Sequence, residues 1–192
     1  MWLAAGNLPV RKQEGIQLNP KSVKKTDLRM LVTMALLIAM NVILTRFLGI
    51  QTPLVQINFS FVPVVLAALL YGPAPAAIVG GIGDFLGAIL FPAGAYFPGF
   101  TLTAVLAGLV YGFFLYRKPA AVWRAVAAVL IITVVLNMGL NTLWLWITMK
   151  DGVWGILSTR IPKYFIVAPV QILITRALSG RLTEVFRRLA AA

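Results

Sequence analysis

The sequence contains no cysteine and no histidine. Without cysteine there is no disulfide framework and no thiolate nucleophile. Without histidine there is no imidazole base for Ser60 or Ser158, and most zinc and haem ligand sets are gone. Acids are scarce as well: five Asp or Glu stand against seventeen Lys or Arg in 192 residues. No two of them are spaced for two-carboxylate chemistry or for a divalent cation. No GxxxxGK[ST] run is present, so there is no phosphate-binding loop for ATP. An enzyme is not expected, and neither is a bound cofactor or metal. A binding or transport protein remains, unable to power itself with ATP.

What the chain does have is apolar length. It is 60% hydrophobic and 11% charged, too little polar surface for a soluble domain of this size. Runs of membrane-spanning length recur almost to its end. The fold class expected is an all-α integral membrane protein, a compact bundle of six transmembrane helices. The spans are read near Leu28–Thr45, Ile57–Tyr71, Ala74–Phe91, Phe97–Tyr116, Val122–Ile147 and Ile161–Leu178. Residues 27–192 form one membrane domain, and residues 1–26 a cytoplasmic tail. That tail is not expected to be a signal peptide, because its short apolar start precedes the charges instead of following them. The second span is short. Either it tilts partly out of the lipid, or the stretch QTPLVQINFS before it dips into the membrane.

The formal charge of +12 suits a nucleic-acid binder in principle, but here the cations flank greasy segments, and the lipid bilayer is the partner they indicate. With both termini inside, Arg11, Lys12, Lys21, Lys24, Lys25 and Arg29 fall on the inner side, as do Arg117, Lys118 and Arg124 of the 4–5 loop and Arg176, Arg181, Arg187 and Arg188. The orientation expected is N-in/C-in. Arg46, Lys150, Arg160 and Lys163 are left on the outer side, against the sorting rule. Snorkelling to headgroups accounts for such residues one at a time. Arg46 fits that account least, since it closes an unbroken apolar run and a long irregular loop follows it.

Small residues show where helices touch. Gly80, Gly83 and Gly87 in the third span and Ala104, Gly108 and Gly112 in the fourth form smooth stripes for close packing inside the bundle. Ala35 and Ala39 form a similar pair in the first span, which could as well meet a partner subunit.

One acid lies deep in the apolar sequence. Asp84, in GGIGDFLGAILFPAGAYFPGF, is the only Asp or Glu between Asp27 and Asp151. Ionisable and amide residues inside spans mark binding sites by default. With Asp84 belong Asn137 and Asn141, four apart on one helix face, and Trp144, which continues that face. Arg160 and Lys163, three apart, share a face at the start of the sixth span, and Gln171 lies in its middle. Tyr96 and Phe97 lie in the 3–4 loop, which Pro92 and Pro98 stiffen and Gly94 and Gly99 turn. Trp144 and Tyr164 are candidate stacking partners, whereas Trp146 and Trp154 suit an interfacial aromatic belt. The set has two poles, an acceptor with neutral amides and aromatic planes, and a cluster of cations. Its complement is a ligand with a flat, donor-rich ring at one end and negative charge at the other. A 2-amino-4-oxo-pteridine offers a carboxylate two adjacent N–H donors, and a glutamate tail offers an anion to Arg and Lys. The other reading of Asp84 is structural: it pairs with Arg46, Arg160 or Lys163 and fixes the bundle.

Three stretches carry a resemblance. RFLGIQTPLVQINFSFVPVVLAALLYGP, GGIGDFLGAILFPAGAYFPGFTLTAVLAGLVYG and RIPKYFIVAPVQI resemble the folate-type S components of energy-coupling factor (ECF) transporters, over roughly residues 28–186. The resemblance implies six membrane helices that capture a vitamin from outside, here folate or a reduced folate. It implies docking on a transmembrane coupling protein (EcfT) with two ATPases (EcfA and EcfA') in a bacterial plasma membrane, and release of the vitamin by toppling. Ala35 and Ala39 match the family's AxxxA pair that meets the coupling protein. Leu48–Ser60, which includes Gln51, and Pro92–Pro98 match the loops that cover the family's pocket. The substrate-binding set expected is thus Asp84, Arg46, Gln51, Tyr96, Phe97, Asn137, Asn141, Trp144, Arg160, Lys163 and Tyr164. An S component for another anionic vitamin, biotin or pantothenate, is the alternative. A small membrane scaffold or channel subunit is the alternative from a different class.

Overall fold

A chain this apolar must satisfy its backbone N–H and C=O groups within its own segments, and helices do so. The computed structural model describes residues 25–51, 56–92, 96–118, 121–149, 161, 164 and 167–181. Residues 1–24 of the proposed tail and the cations Lys150, Arg160 and Lys163 lie outside the described residues, while Lys25 and Thr26 begin α1. Helix α1 runs Lys25–Arg46, α2 Phe61–Tyr71, α3 Pro73–Leu90 and α4 Pro98–Leu115. A longer rod follows, made of α5 (Val122–Ile131), a π-helical segment (Ile132–Leu140) and α6 (Asn141–Met149). Residues 167–181 form a further helix, α7.

Four of these helices are long and apolar enough to cross a membrane: Leu28–Arg46, Pro73–Leu90, Pro98–Leu115 and Val122–Thr148. The 11 residues of α2 rise only about 16 Å, about half of the hydrocarbon thickness. This helix starts later than the Ile57 read from hydropathy. Gln56–Ile57 instead pairs antiparallel with Ile50–Gln51, Ile50 opposite Ile57 and Gln51 opposite Gln56. These two-residue strands, β1 (Ile50–Gln51) and β2 (Gln56–Ile57), qualify the all-α expectation. They supply backbone partners that a loop at this position would otherwise lack. Asn58 then turns the chain into α2: its Oδ1 accepts from Ser60 N at 3.2 Å and from Ser60 Oγ at 2.6 Å.

Helices α3 and α4 lie together as the centre of the bundle, with α1 and α2 on one flank and the α5–α6 rod on the other. The turn between α2 and α3 is a single residue, Gly72, at φ 96°. Only a residue without Cβ takes that conformation readily, and Pro73 then starts α3 with its φ already helical. The close approach of α3 and α4 needs the small stripes. A Cβ on Gly108 would lie 2.5 Å from Ala76 O, one on Gly80 would lie 2.8 Å from Ala104 O, and Gly112 meets Pro73. The stripes therefore pack inside the bundle, as expected. Small buried residues of α2, α3 and α5 belong to the core cluster around it, among them Ala67, Ala68, Ala76, Val79 and Ala128. Across the centre, Gln171 Nε2 of α7 donates to the buried Tyr111 OH of α4 at 2.6 Å.

The outward surface is greasy. On α1, Leu28, Leu31, Val32, Leu36 and Ile43 are exposed on one side, and Ala35 and Ala39 lie among them. A band of this kind suits lipid as its solvent.

Candidate functional site

Chain alternation brings the C-terminal ends of α1 and α3 and the N-terminal ends of α2 and α4 to one end of the bundle. Asp84 sits on α3 less than two turns below that end, half-buried. Its Oδ2 accepts a hydrogen bond from Thr101 Oγ1 of α4 at 2.8 Å. Tyr96 OH lies 3.1 Å from the same Thr101 oxygen. The Tyr96 ring packs edge-on against Phe85, the neighbour of Asp84, with centroids 5.9 Å apart. Tyr96 is thereby held at both its ring and its hydroxyl.

Arg46 is the last residue of α1. Its side chain crosses α3 over Gly87, where a Cβ would stand 3.1 Å from Arg46 Nε. Gly87 is one turn beyond Asp84, so the cation lies nearer the bundle end than the acid. The two charges are within electrostatic reach of each other. A turn below, Asn41 of α1 presses on α3 in the same way: a Cβ on Gly83 would lie 2.6 Å from Asn41 Oδ1. Asn41 Nδ2 also donates to Ser60 O at 2.9 Å and so ties α1 to the start of α2. Phe47 and Phe91, at the ends of α1 and α3, close over this flank edge-to-face at 5.1 Å.

A second group stands on the other flank of α4. Phe97, the N-cap residue of α4, lies with its ring 5.5 Å from that of Trp144 on α6. Trp144 Nε1 donates to Thr103 Oγ1 at 3.1 Å, and Thr103 donates to Gly99 O at 3.0 Å. Gly99 has to be glycine here, since a Cβ would fall 2.5 Å from Trp144 Cδ2 and 2.6 Å from Phe97 Cε1. One turn before Trp144, Asn141 Nδ2 donates to Asn137 Oδ1 at 3.1 Å. Asn141 Oδ1 is buried and has no hydrogen-bond partner among the described residues. It is an acceptor suited to a donor brought by a ligand. Asn137 belongs to the π-helical segment, a distortion frequently found at functional sites.

The structure thus gathers the sequence candidates into two groups. Asp84, Arg46 and Tyr96 stand together on the α1–α3 flank, and Phe97, Trp144, Asn137 and Asn141 on the α6 flank, with the first turns of α4 between them. Tyr164 is buried. Gln51 is placed in β1, opposite Gln56. Three contributors were not among the candidates. Asn41 gave the same signal that marked Asn137, an amide in an apolar run. Thr101 and Thr103 gave none, since hydroxyl residues are common in membrane helices.

Chemically, the α1–α3 flank offers a carboxylate with one oxygen already held and a guanidinium one turn nearer the end. The α6 flank offers aromatic planes and an amide acceptor. This is equipment for binding a molecule with N–H donors and a flat ring.

Residues 29–179 match the model of the ECF transporter substrate-specific component. The chain is 43% identical over 144 residues to the folate transporter FolT of Clostridium novyi (strain NT), covering 75% of this chain and 84% of that protein. It is 33% identical over 154 residues to the folate transporter FolT of Leuconostoc mesenteroides subsp. mesenteroides, covering 77% and 83%. Among solved structures it superposes on FolT bound with folic acid with a TM-score of 0.76 and 35% identity, over 80% of this chain and 93% of that one. The chain belongs to the substrate-specific, or S, components of ECF transporters, a family of membrane transport proteins.

Proposed function

We propose that this protein is the folate-binding S component of a bacterial ECF importer. The observation that carries the reading is its likeness to FolT bound with folic acid, at a TM-score of 0.76 over 93% of that chain. The chemistry of the site supports it. Asp84 accepts the adjacent N–H donors of the pterin edge, which a carboxylate can take in parallel. Phe97, Trp144 and Tyr164 supply planes for the ring, and Asn137 and Asn141 its remaining polar partners. Arg46, with Arg160 and Lys163, faces the glutamate tail, and Gln51 and Tyr96 belong to the segments that cover the ligand.

On this reading the bundle has six helices, with both termini inside the plasma membrane and the Asp84 end outward. The exposed Ala35 and Ala39 form the contact with the coupling protein EcfT, and the ATPases EcfA and EcfA' power release. Titration of the purified protein with folate or 5-formyltetrahydrofolate, followed by calorimetry, tests the proposal. One-to-one tight binding is expected. Absence of any saturable binding, or a different vitamin identified by mass spectrometry of the copurified ligand, overturns it.

A further inference from the structure

A hydroxyl carries one hydrogen. Thr101 Oγ1 donates its own to Asp84 Oδ2 at 2.8 Å. In the 3.1 Å contact between Tyr96 OH and Thr101 Oγ1, the phenol must therefore be the donor. The result is a directed chain: Tyr96 O–H to Thr101 Oγ1, and Thr101 O–H to Asp84 Oδ2. It runs from Tyr96, two residues before α4, to Asp84, the only Asp or Glu between Asp27 and Asp151, and it crosses from α4 to α3. The edge-on contact of Tyr96 with Phe85 fixes the far end of the chain to the helix that bears Asp84.

We infer that Thr101 is a positioning residue for ligand recognition, and that Tyr96 and Thr101 together set the plane of the Asp84 carboxylate and so its selectivity for a paired N–H donor edge. The inference rests on the folate reading above. A carboxylate on a single rotatable stem turns about its last bond at little cost. A fixed donor on one oxygen removes that freedom before the ligand arrives, and preorganisation of this kind strengthens and sharpens binding. The chain also polarises: each donor strengthens the next bond toward the carboxylate. Two parallel N–H donors reward a fixed plane, and a ligand with a single donor gains far less from it.

Thr101→Val removes the hydroxyl at constant shape, Thr101→Ser restores it, and Tyr96→Phe removes the phenol while keeping the ring on Phe85. Each is titrated with folate and with 2-desaminofolate, which lacks one of the two donors. Thr101→Val is expected to weaken folate about tenfold, the scale of one hydrogen bond to a charged group. Its effect on 2-desaminofolate should be about threefold or less, so that discrimination between the two ligands collapses. Thr101→Ser should recover the discrimination, and Tyr96→Phe should lower it in part. Tyr96→Phe gives the same readout if Thr101→Val does not fold. Equal weakening of both ligands makes Thr101 a packing residue and overturns the inference, as does unchanged folate affinity in Thr101→Val. An unaltered protein that takes no folate overturns the functional reading, and this inference with it.

Discussion

Thr101 and Thr103 stand two residues apart on α4 and reach opposite neighbours. Two residues on a helix are about 200° apart, and the first threonine holds Asp84 of α3 while the second receives the indole N–H of Trp144 on α6. The first turns of α4 are therefore the piece that joins the acidic flank of the site to its aromatic flank. Close packing makes this positioning stiff. Gly108 sets α4 tightly against α3, and Gly99 lets the Trp144 and Phe97 rings lie directly on its backbone. A ligand that touches both flanks reads the placement of one short helical segment.

Asp84→Asn tests whether the acid faces a ligand or only its protein neighbours. The substitution keeps the shape but turns an acceptor oxygen into a donor amide, which repels an N–H edge instead of receiving it. Folate affinity should fall about tenfold to a hundredfold, the range for hydrogen bonds to a charged group. Calorimetric titration measures it. Unchanged affinity with a lowered melting temperature would assign Asp84 to its protein neighbours Thr101 and Arg46.

The α3–α4 contact predicts a contrast between two glycines. A Cβ on Gly108 would lie 2.5 Å from a backbone oxygen that no rotamer can move, whereas one on Gly180 would meet nothing within 4 Å. Gly108→Ala must push the helices apart and should cost about 1–3 kcal/mol, the scale of overpacking. Gly180→Ala lies in α7 and should be neutral or stabilise by up to about 1 kcal/mol, since Ala is the better helix former. Thermal melts of the two variants in detergent should move in opposite directions or differ by several degrees.

How much of this could be read in the sequence depends on the signal each residue gives. Asp84 stands out in the sequence because a lone acid in an apolar run is costly, whether it receives a ligand or pairs within the bundle. The glycine stripes were legible because four-residue spacing is a helical face. The threonines were not. Thr33, Thr45, Thr103 and Thr148 each bond the carbonyl four residues back on their own helix, the ordinary habit of a membrane threonine. Thr101 instead reaches across to α3, and only the placement of the two helices distinguishes it. The start of α2 was misread because Ile57 extends the hydropathic run into a segment that pairs as a strand. The π-helical turn was hidden because nine mostly apolar residues look alike at either helical period.

Tyr111→Phe tests a buried bond between α7 and α4 for its part in the fold. Gln171 Nε2 donates to the buried Tyr111 OH at 2.6 Å, and both residues are shut off from solvent. Removing the phenol oxygen leaves a buried amide donor without that partner, at a cost of about 1–3 kcal/mol. The melting temperature should fall while folate affinity stays within about twofold, a difference well under the 1.4 kcal/mol of a tenfold change. A large loss of affinity with an unchanged melt would move Tyr111 into the binding site.

Docking makes the opposite demand, a change that spares both fold and ligand. Ala35 and Ala39 are exposed on α1 beside Leu31, Val32 and Leu36, so a larger side chain there meets nothing inside the protein. Ala35→Leu should leave the melt and the folate affinity unaltered, as for most surface changes. If two helices approach closely over these alanines, added methyl groups hold them apart, because small residues are what permits the contact. Overpacking on the scale of about 1–3 kcal/mol lowers the assembly constant about fivefold to a hundredfold. Copurification with the coupling protein and folate uptake in cells should both fall accordingly, and Ala39→Leu should behave alike. Normal assembly and uptake in both variants would remove this face of α1 from the interface, and the exposed alanines would then face only lipid.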